Sequence, residues 1–361
     1  MQKAIRNFLR TALILTLFLL VVSTVYLIRL SDGLDPDSMM LAMLLFVFSL
    51  VAVIGISLVL RTMKRNANMK TKSIVVLLIV SCISLQSHAQ NSDFNRQRAS
   101  FAAFNIGFNG LIGGVGSLIN HRGEKPNFNT FLDGFYKGAI GGAVSHVGLS
   151  MTHQISKRQS IALAWPVRMV NALGSSIVQN AAEDRGMLDR LYFNLYFTRL
   201  EYHLPEKKFK ARLFTSSLYG FLNVGRGARL DLGKSLQTGI FYFESDNDFS
   251  IPGRTGRATG QVSAIGMGTS LSGDEFYAIY AEEVAHILQY DRKVGGNPLL
   301  LKFDGRLKEK SKFYKSLSRF IYFDLNGPIF FLTYQIENGT NCNFFEQEAR
   351  NYAFRMFQQC G

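Results

Sequence analysis

Two long apolar runs near the N-terminus constrain this chain more than any other feature. Thr11 to Ile28 and Met39 to Leu60 contain no charged residue. Each matches the roughly 20 residues an α-helix needs to cross a bilayer. Two such runs joined by a short polar loop predict a transmembrane hairpin rather than a pair of core helices. Lys3, Arg6 and Arg10 precede the first run, and Arg61, Lys64, Arg65, Lys70 and Lys72 follow the second. The loop between them carries Asp32, Asp35 and Asp37 against Arg29. The positive-inside rule therefore places both basic flanks in the cytoplasm and the acidic loop outside.

A third apolar stretch, Met69 to Gln90, has the layout of a secretory signal. It starts at an internal methionine with Lys70 and Lys72, continues through a short apolar segment, and ends in Ser87-His88-Ala89. Three readings stand: an export signal behind a membrane hairpin, a true translation start at Met69, or lipidation at Cys82 in Ile79-Val80-Ser81-Cys82. All three put residues 91–361 outside the cytoplasmic membrane, either attached to it or released by cleavage after Ala89. The predicted organisation is a two-helix transmembrane region (1–68), a signal peptide or third membrane segment (69–90), a region of glycine-rich helices and β-sheet (91–258) and a C-terminal unit (259–361).

The net charge of +14 is shared between the membrane flank and the exported part, in Lys207 to Arg212 and Lys302 to Lys315. An exported basic surface meets anionic lipid or envelope polymers rather than nucleic acid, and no nucleic-acid motif is present. Membrane lipid and an envelope peptide or polymer are the expected partners. Cys342 and Cys360 flank a predicted helix about 27 Å long, which forbids their pairing if that helix is continuous.

In the exported part, Gly107 to Val115 is echoed by Gly134 to Ala143, and Gly134, Gly138 and Gly142 recur every fourth residue. Such a stripe lets another helix backbone approach closely. Two glycine-striped helices packed on each other are predicted, joined by a turn at Arg122 to Pro126. Asp133, Lys137 and His146 argue against burying this pair in lipid. Ile161 to Pro166, Tyr192 to Tyr202 and Ser235 to Phe243 read as strands by alternation and aromatic content, and Val167 to Glu183 as a helix. His146, His153 and His203 are isolated and read as structural or exposed. The fold class is α+β: helices first, a mixed or antiparallel sheet in the middle, and a helical C-terminal unit.

The chemistry-bearing segment is Ala281-Glu-Glu-Val-Ala-His-Ile-Leu-Gln-Tyr290. Ser272-Gly-Asp-Glu275 fits a capping box before it, and Gly295, Gly296 and Pro298 stop it. On a helix, residues four apart share a face, so Glu282 and His286 can converge on one ion. The pattern is H-E-x-x-H with glutamate at the first histidine position, and Glu283 stands where that motif carries its general base. Downstream, Phe344-Phe-Glu-Gln-Glu-Ala349 opens a second helix. There Glu346 and Glu348 point to different faces.

These two segments resemble the zincin metallopeptidases of the gluzincin type, which pair H-E-x-x-H with a later glutamate in an E-x-E-A-like run. The resemblance covers the chain from the strand-like Thr259 to Gly268 onward and includes the apolar pair and glutamine after His286. It implies a zincin-like C-terminal unit with Glu282, His286 and Glu346 as metal ligands and Glu283 as the base. Zinc is the implied metal, with manganese or iron as alternatives suited to carboxylate ligands. The expected function is a membrane-associated, exported zincin-like protein, active on peptide bonds in the envelope or a degenerate descendant of such an enzyme. The alternative is a non-enzymatic structural or binding protein of the bacterial envelope, its glycine helices serving assembly or membrane contact. Restoring histidine at position 282 is expected to raise metal affinity, since a neutral ligand leaves the ion more electrophilic.

Overall fold

The computed structural model describes residues 94–123, 126–251, 254–292, 296–324 and 344–354. The N-terminal apolar runs, the signal-like segment with Cys82, and Cys342 and Cys360 lie outside these residues. What is described is mixed α+β, as the sequence predicts.

Three helices open it: α1 (Phe94–Asn120), α2 (Phe128–Ser150) and, after the short α3 (His153–Lys157) and a 3-10 turn at Ile161–Leu163, α4 (Ala164–Ala182). The α1–α2 turn ends at Asn127, whose side chain accepts from Thr130 N at 3.0 Å while Thr130 Oγ1 accepts from Asn127 N at 3.3 Å. This reciprocal cap satisfies two donors the first helical turn leaves orphaned. The glycine stripe does what its spacing predicts. A Cβ on Gly113 would run into the Gly134 carbonyl, and one on Gly138 into the Asn109 carbonyl. The stripe also serves α4. A Cβ on Gly141 would stand 2.7 Å from the Gly174 carbonyl, and one on Gly148 2.8 Å from Asn171 N. By length and apolarity, Gln97–Asn120 and Ile161–Ala182 could each cross a membrane, although half or more of each apolar window is buried inside the protein.

Two four-stranded sheets follow. In the first, β1 (Arg190–Leu195), β2 (Thr198–His203) and β3 (Lys208–Phe214) form an antiparallel meander, and β10 (Ile321–Tyr322) joins β3 in parallel. The run read as one strand from Tyr192 to Tyr202 is thus a hairpin, turned at Tyr196-Phe197 with Tyr196 in the left-handed region at φ 51°. Between the sheets lies α5 (Thr215–Val224). The second sheet orders β4 (Arg229–Leu230), β5 (Phe241–Ser245), β9 (Ala264–Gly268) and β8 (Ala258–Gln261), with β5 and β9 parallel. A small separate hairpin, β6 (Phe249–Ile251) with β7 (Arg254–Gly256), packs Phe249 against Val224, Phe243 and Ala264. The strand expected at Thr259 to Gly268 is a β8–β9 hairpin instead.

Two other strand assignments are corrected. Of the strand read at Ser235 to Phe243, Phe241 to Phe243 belongs to β5, but Ser235 to Thr238 lies in a helix, α6 (Leu232–Thr238), because Asp231 accepts from Lys234 N at its start and Gly239 closes it in the left-handed region. Ile161 to Pro166 is the 3-10 turn and the first turn of α4, where proline needs no hydrogen bond.

Helix α7 (Gly273–Arg292) runs through the centre, packed on α3, α4, β8 and, from the far end of the chain, α11 (Phe344–Phe354). Its central stretch, Tyr280 to Gln289, is buried throughout. The main core joins Phe101, Leu149 and Val167 to Ile265, Ile287 and Tyr352, so residues on both sides of position 258 share it. The basic segment Lys302 to Lys315 forms α9 (Leu301–Lys310) and α10 (Lys312–Leu317) after the single turn α8 (Gly296–Leu299), with no buried residue in α9 or α10.

A candidate metal centre

Helix α7 begins at Gly273, one residue after the predicted cap Ser272, with Asp274 and Glu275 at its positive dipole end. Three turns on, Glu282, Glu283 and His286 are all buried. Buried ionisable groups are costly unless paired, so their partners define the site. Those partners come largely from α11. Phe344 anchors that helix with its ring 5.2 Å from Phe101 and 4.8 Å from Phe104, while Tyr352 lies edge-on to His146 at 5.3 Å.

Docked this way, α11 delivers Glu346 to His286, with Oε1 3.7 Å from Nε2. Glu282, His286 and Glu346 each offer a ligand atom, all within 4.8 Å of one another, and are the one such group among the described residues. Oxygen and nitrogen donors bind zinc at about 2.0–2.2 Å, so atoms surrounding one ion stand about 3–4 Å apart and the group can close on one with small side-chain movements. One imidazole and two carboxylates form a donor set that suits zinc, manganese or iron. Glu283 lies alongside, over β8: a Cβ on Gly260 would stand 2.9 Å from its Oε2. A glycine there lets the helix lie this close to the strand.

The imidazole is oriented by a relay that sequence reasoning did not assemble. Gln289 Nε2 donates to Phe345 O and to Glu348 Oε2, both at 2.9 Å. That fixes the amide, so Gln289 Oε1 is the acceptor for His286 Nδ1 at 3.0 Å. In the neutral ring the proton therefore sits on Nδ1, which leaves Nε2, facing Glu346, as the atom available to an ion. Glu348 is itself held by Asn105 Nδ2 at 2.6 Å and Arg292 Nη2 at 2.5 Å. The two acids of the E-x-E run thus separate by helix geometry, Glu346 into the ligand group and Glu348 into its support.

Sequence reasoning also missed Arg350. Its Nε donates to Glu282 Oε1 at 2.9 Å, and its Nη2 lies 3.6 Å from Glu346 Oε2. The only signal was spacing, since Arg350 stands one turn after Glu346. The other singled-out histidines stay out of the group. His146 contacts Tyr352, His153 Nδ1 lies 2.6 Å from Ser150 O, and His203 lies 3.8 Å from Glu201 on the first sheet.

The electrostatics give a pH dependence. Burial alone would hold the His286 ring neutral, but Glu346, then Glu283 and Glu282, outweigh it and raise its pKa to about 9. Burial pushes the Glu282 carboxyl upward too, with Glu346 adding to the rise and His286 and Arg350 opposing it. A raised histidine pKa stabilises the fold fully below its ordinary value near 6.5, and this contribution is lost as pH climbs through about 9. Metal affinity has the opposite sign, because the ring must be deprotonated to ligate. Below pH 9 zinc affinity should fall about tenfold per pH unit. Titrations with a chromogenic chelator between pH 6 and 9 measure this, and a flat profile would show that His286 is not a ligand.

Compared with known protein families, curated proteins and solved structures, the chain matches none.

Proposed function

We propose that this is a membrane-associated, exported metalloprotein with a zincin-like C-terminal unit that hydrolyses peptide bonds in the cell envelope. One observation carries the reading: Glu282 and His286 from one helix meet Glu346 from another, with His286 Nε2 turned to the carboxylate by Gln289. Those three residues would hold the ion. A divalent metal there supplies Lewis acidity, polarising a carbonyl and making water more acidic. Glu283, beside the group on the same helix, would take a proton from water as its oxygen adds to the peptide carbonyl, and would return that proton to the amine nitrogen as the C–N bond breaks. The Glu348–Gln289 relay holds the ring in one tautomer throughout. Export is supported by the signal-like segment ending at Ala89. Membrane association is supported by the two N-terminal apolar runs and, weakly, by the two described helices long enough to cross a bilayer.

The test is metal stoichiometry and peptide hydrolysis by the full chain purified in detergent without chelator. The wild type should carry about one zinc or other divalent ion per chain, His286→Ala should carry none, and Glu283→Gln should keep the metal but lose hydrolysis of a mixed peptide pool. Metal without hydrolysis in the wild type would favour the non-enzymatic binding protein. No metal in the wild type would remove both the ligand assignment and the enzyme. N-terminal sequencing of the mature protein tests export separately, with a start at Gln90 or Asn91 expected.

A further inference from the structure

We propose that Arg350 is the charge partner that allows a glutamate to stand at position 282, so that Glu282 and Arg350 together replace a neutral imidazole. The inference rests on the metal reading above and goes beyond it by assigning a positioning residue. Two carboxylates and a neutral ring place two negative charges around an ion, one more than a two-histidine, one-glutamate set. The Arg350 guanidinium cancels that extra charge at close range. Its Nε donates to Glu282 Oε1 at 2.9 Å, and its Nη2 lies 3.6 Å from Glu346 Oε2. Glu346 turns its other oxygen, Oε1, to His286. A carboxylate has two oxygens, so one can pair with arginine while the other remains for a cation. Arginine suits this place because its planar fork addresses two carboxylates at once and its charge is permanent. Its side chain is 26% exposed while Glu346 is 2% exposed, so the cation reaches water at the rim as it pairs inward.

The consequence reverses the expectation drawn from sequence. E282H does not simply complete a familiar motif. It removes the carboxylate that Arg350 Nε contacts at 2.9 Å and leaves one more net positive charge beside the ion. E282H alone should bind zinc at least about tenfold more weakly than wild type, the scale typical for residues that orient metal ligands. E282H/R350Q removes that extra positive charge and should return to within about threefold of wild type. R350K keeps the charge but loses the fork and should fall between wild type and R350Q, whereas R350Q alone should shift zinc affinity about tenfold or more. The experiment is a double-mutant cycle on the full chain in detergent, with zinc affinity read by chelator competition and folding monitored by circular dichroism. E282H binding more tightly than wild type, or R350Q changing affinity by the same factor with and without E282H, overturns the proposal. If E282H does not fold, R350Q and R350K decide it, and equal affinities for the two overturn it. Zinc binding with additive effects defeats this inference alone, whereas no zinc on wild type defeats the metal reading and this inference with it.

Discussion

Glu348→Ala should cost about 3–5 kcal/mol of folding stability, the usual result of breaking a buried ion pair by removing one partner. Glu348 and Arg292 are almost entirely sealed from solvent, at 0% and 2% side-chain exposure. Arg292 Nη1 has no hydrogen-bond partner among the described residues, so the contact of Nη2 with Glu348 at 2.5 Å carries the charge. Alanine would leave a buried guanidinium uncompensated and would also strip an acceptor from Asn105 and Gln289. Domains of this kind are stable by about 5–15 kcal/mol, so the loss is a large share of the total. Urea unfolding followed by tryptophan fluorescence measures it. The single tryptophan, Trp165, sits at the start of α4 against Phe193 and so reports on the folded part. The same variant should weaken zinc binding about 10–100-fold, because Gln289 loses an anchor and His286 loses its fixed tautomer. An unfolding free energy within about 0.5 kcal/mol of wild type, the size of an ordinary surface change, would show that the pair is solvated.

The second large effect is on the glycine stripe, and here the sign is the test. In an exposed helix, glycine to alanine stabilises by about 0.5–1 kcal/mol. Gly305 in α9 is such a site, since a Cβ there would meet nothing within 4 Å. Gly305→Ala should therefore stabilise. Gly113→Ala and Gly138→Ala should each destabilise by about 1–3 kcal/mol, because the new methyl would press on a backbone carbonyl that cannot rotate away. Gly113 is hemmed in from two sides, by Gly134 and Gly138 of α2 and by Ala181 of α4, so its substitution forces three helices apart. Stabilisation by either alanine would mean that α1 and α2 are not in backbone contact.

Much of the helical unit was legible in the sequence because its signals are local. The spacing of Gly134, Gly138 and Gly142 fixes a smooth face whatever lies opposite. The four-residue interval between Glu282 and His286 fixes their shared face as soon as α7 forms, and the cap and glycine signals around it are local too. Where local signals conflicted, alternation misled. Ser235 to Phe243 alternates like a strand, yet Asp231 and Gly239 cap a helix that takes its first four residues, and only Phe241 to Phe243 is strand. Ile161 to Pro166 looks extended, yet proline is at home in a first helical turn.

The site divides along the same line. The sequence named Glu282, Glu283 and His286 on one helix, predicted that Glu346 and Glu348 face apart, and through the resemblance pointed to Glu346 as the third ligand. Which acid joins the histidine was decided by the docking of α11, through Phe344 on Phe101 and Phe104 and through Tyr352. Nor could periodicity show that Arg350 reaches Glu282 across 68 positions, or that Gln289 is held by Glu348 across 59. Helical spacing acts over a turn or two, whereas the tautomer of His286 and the charge around Glu282 depend on groups brought together only when the two helices pack. The amino-acid sequence by itself determined the faces, and tertiary packing decided which faces meet.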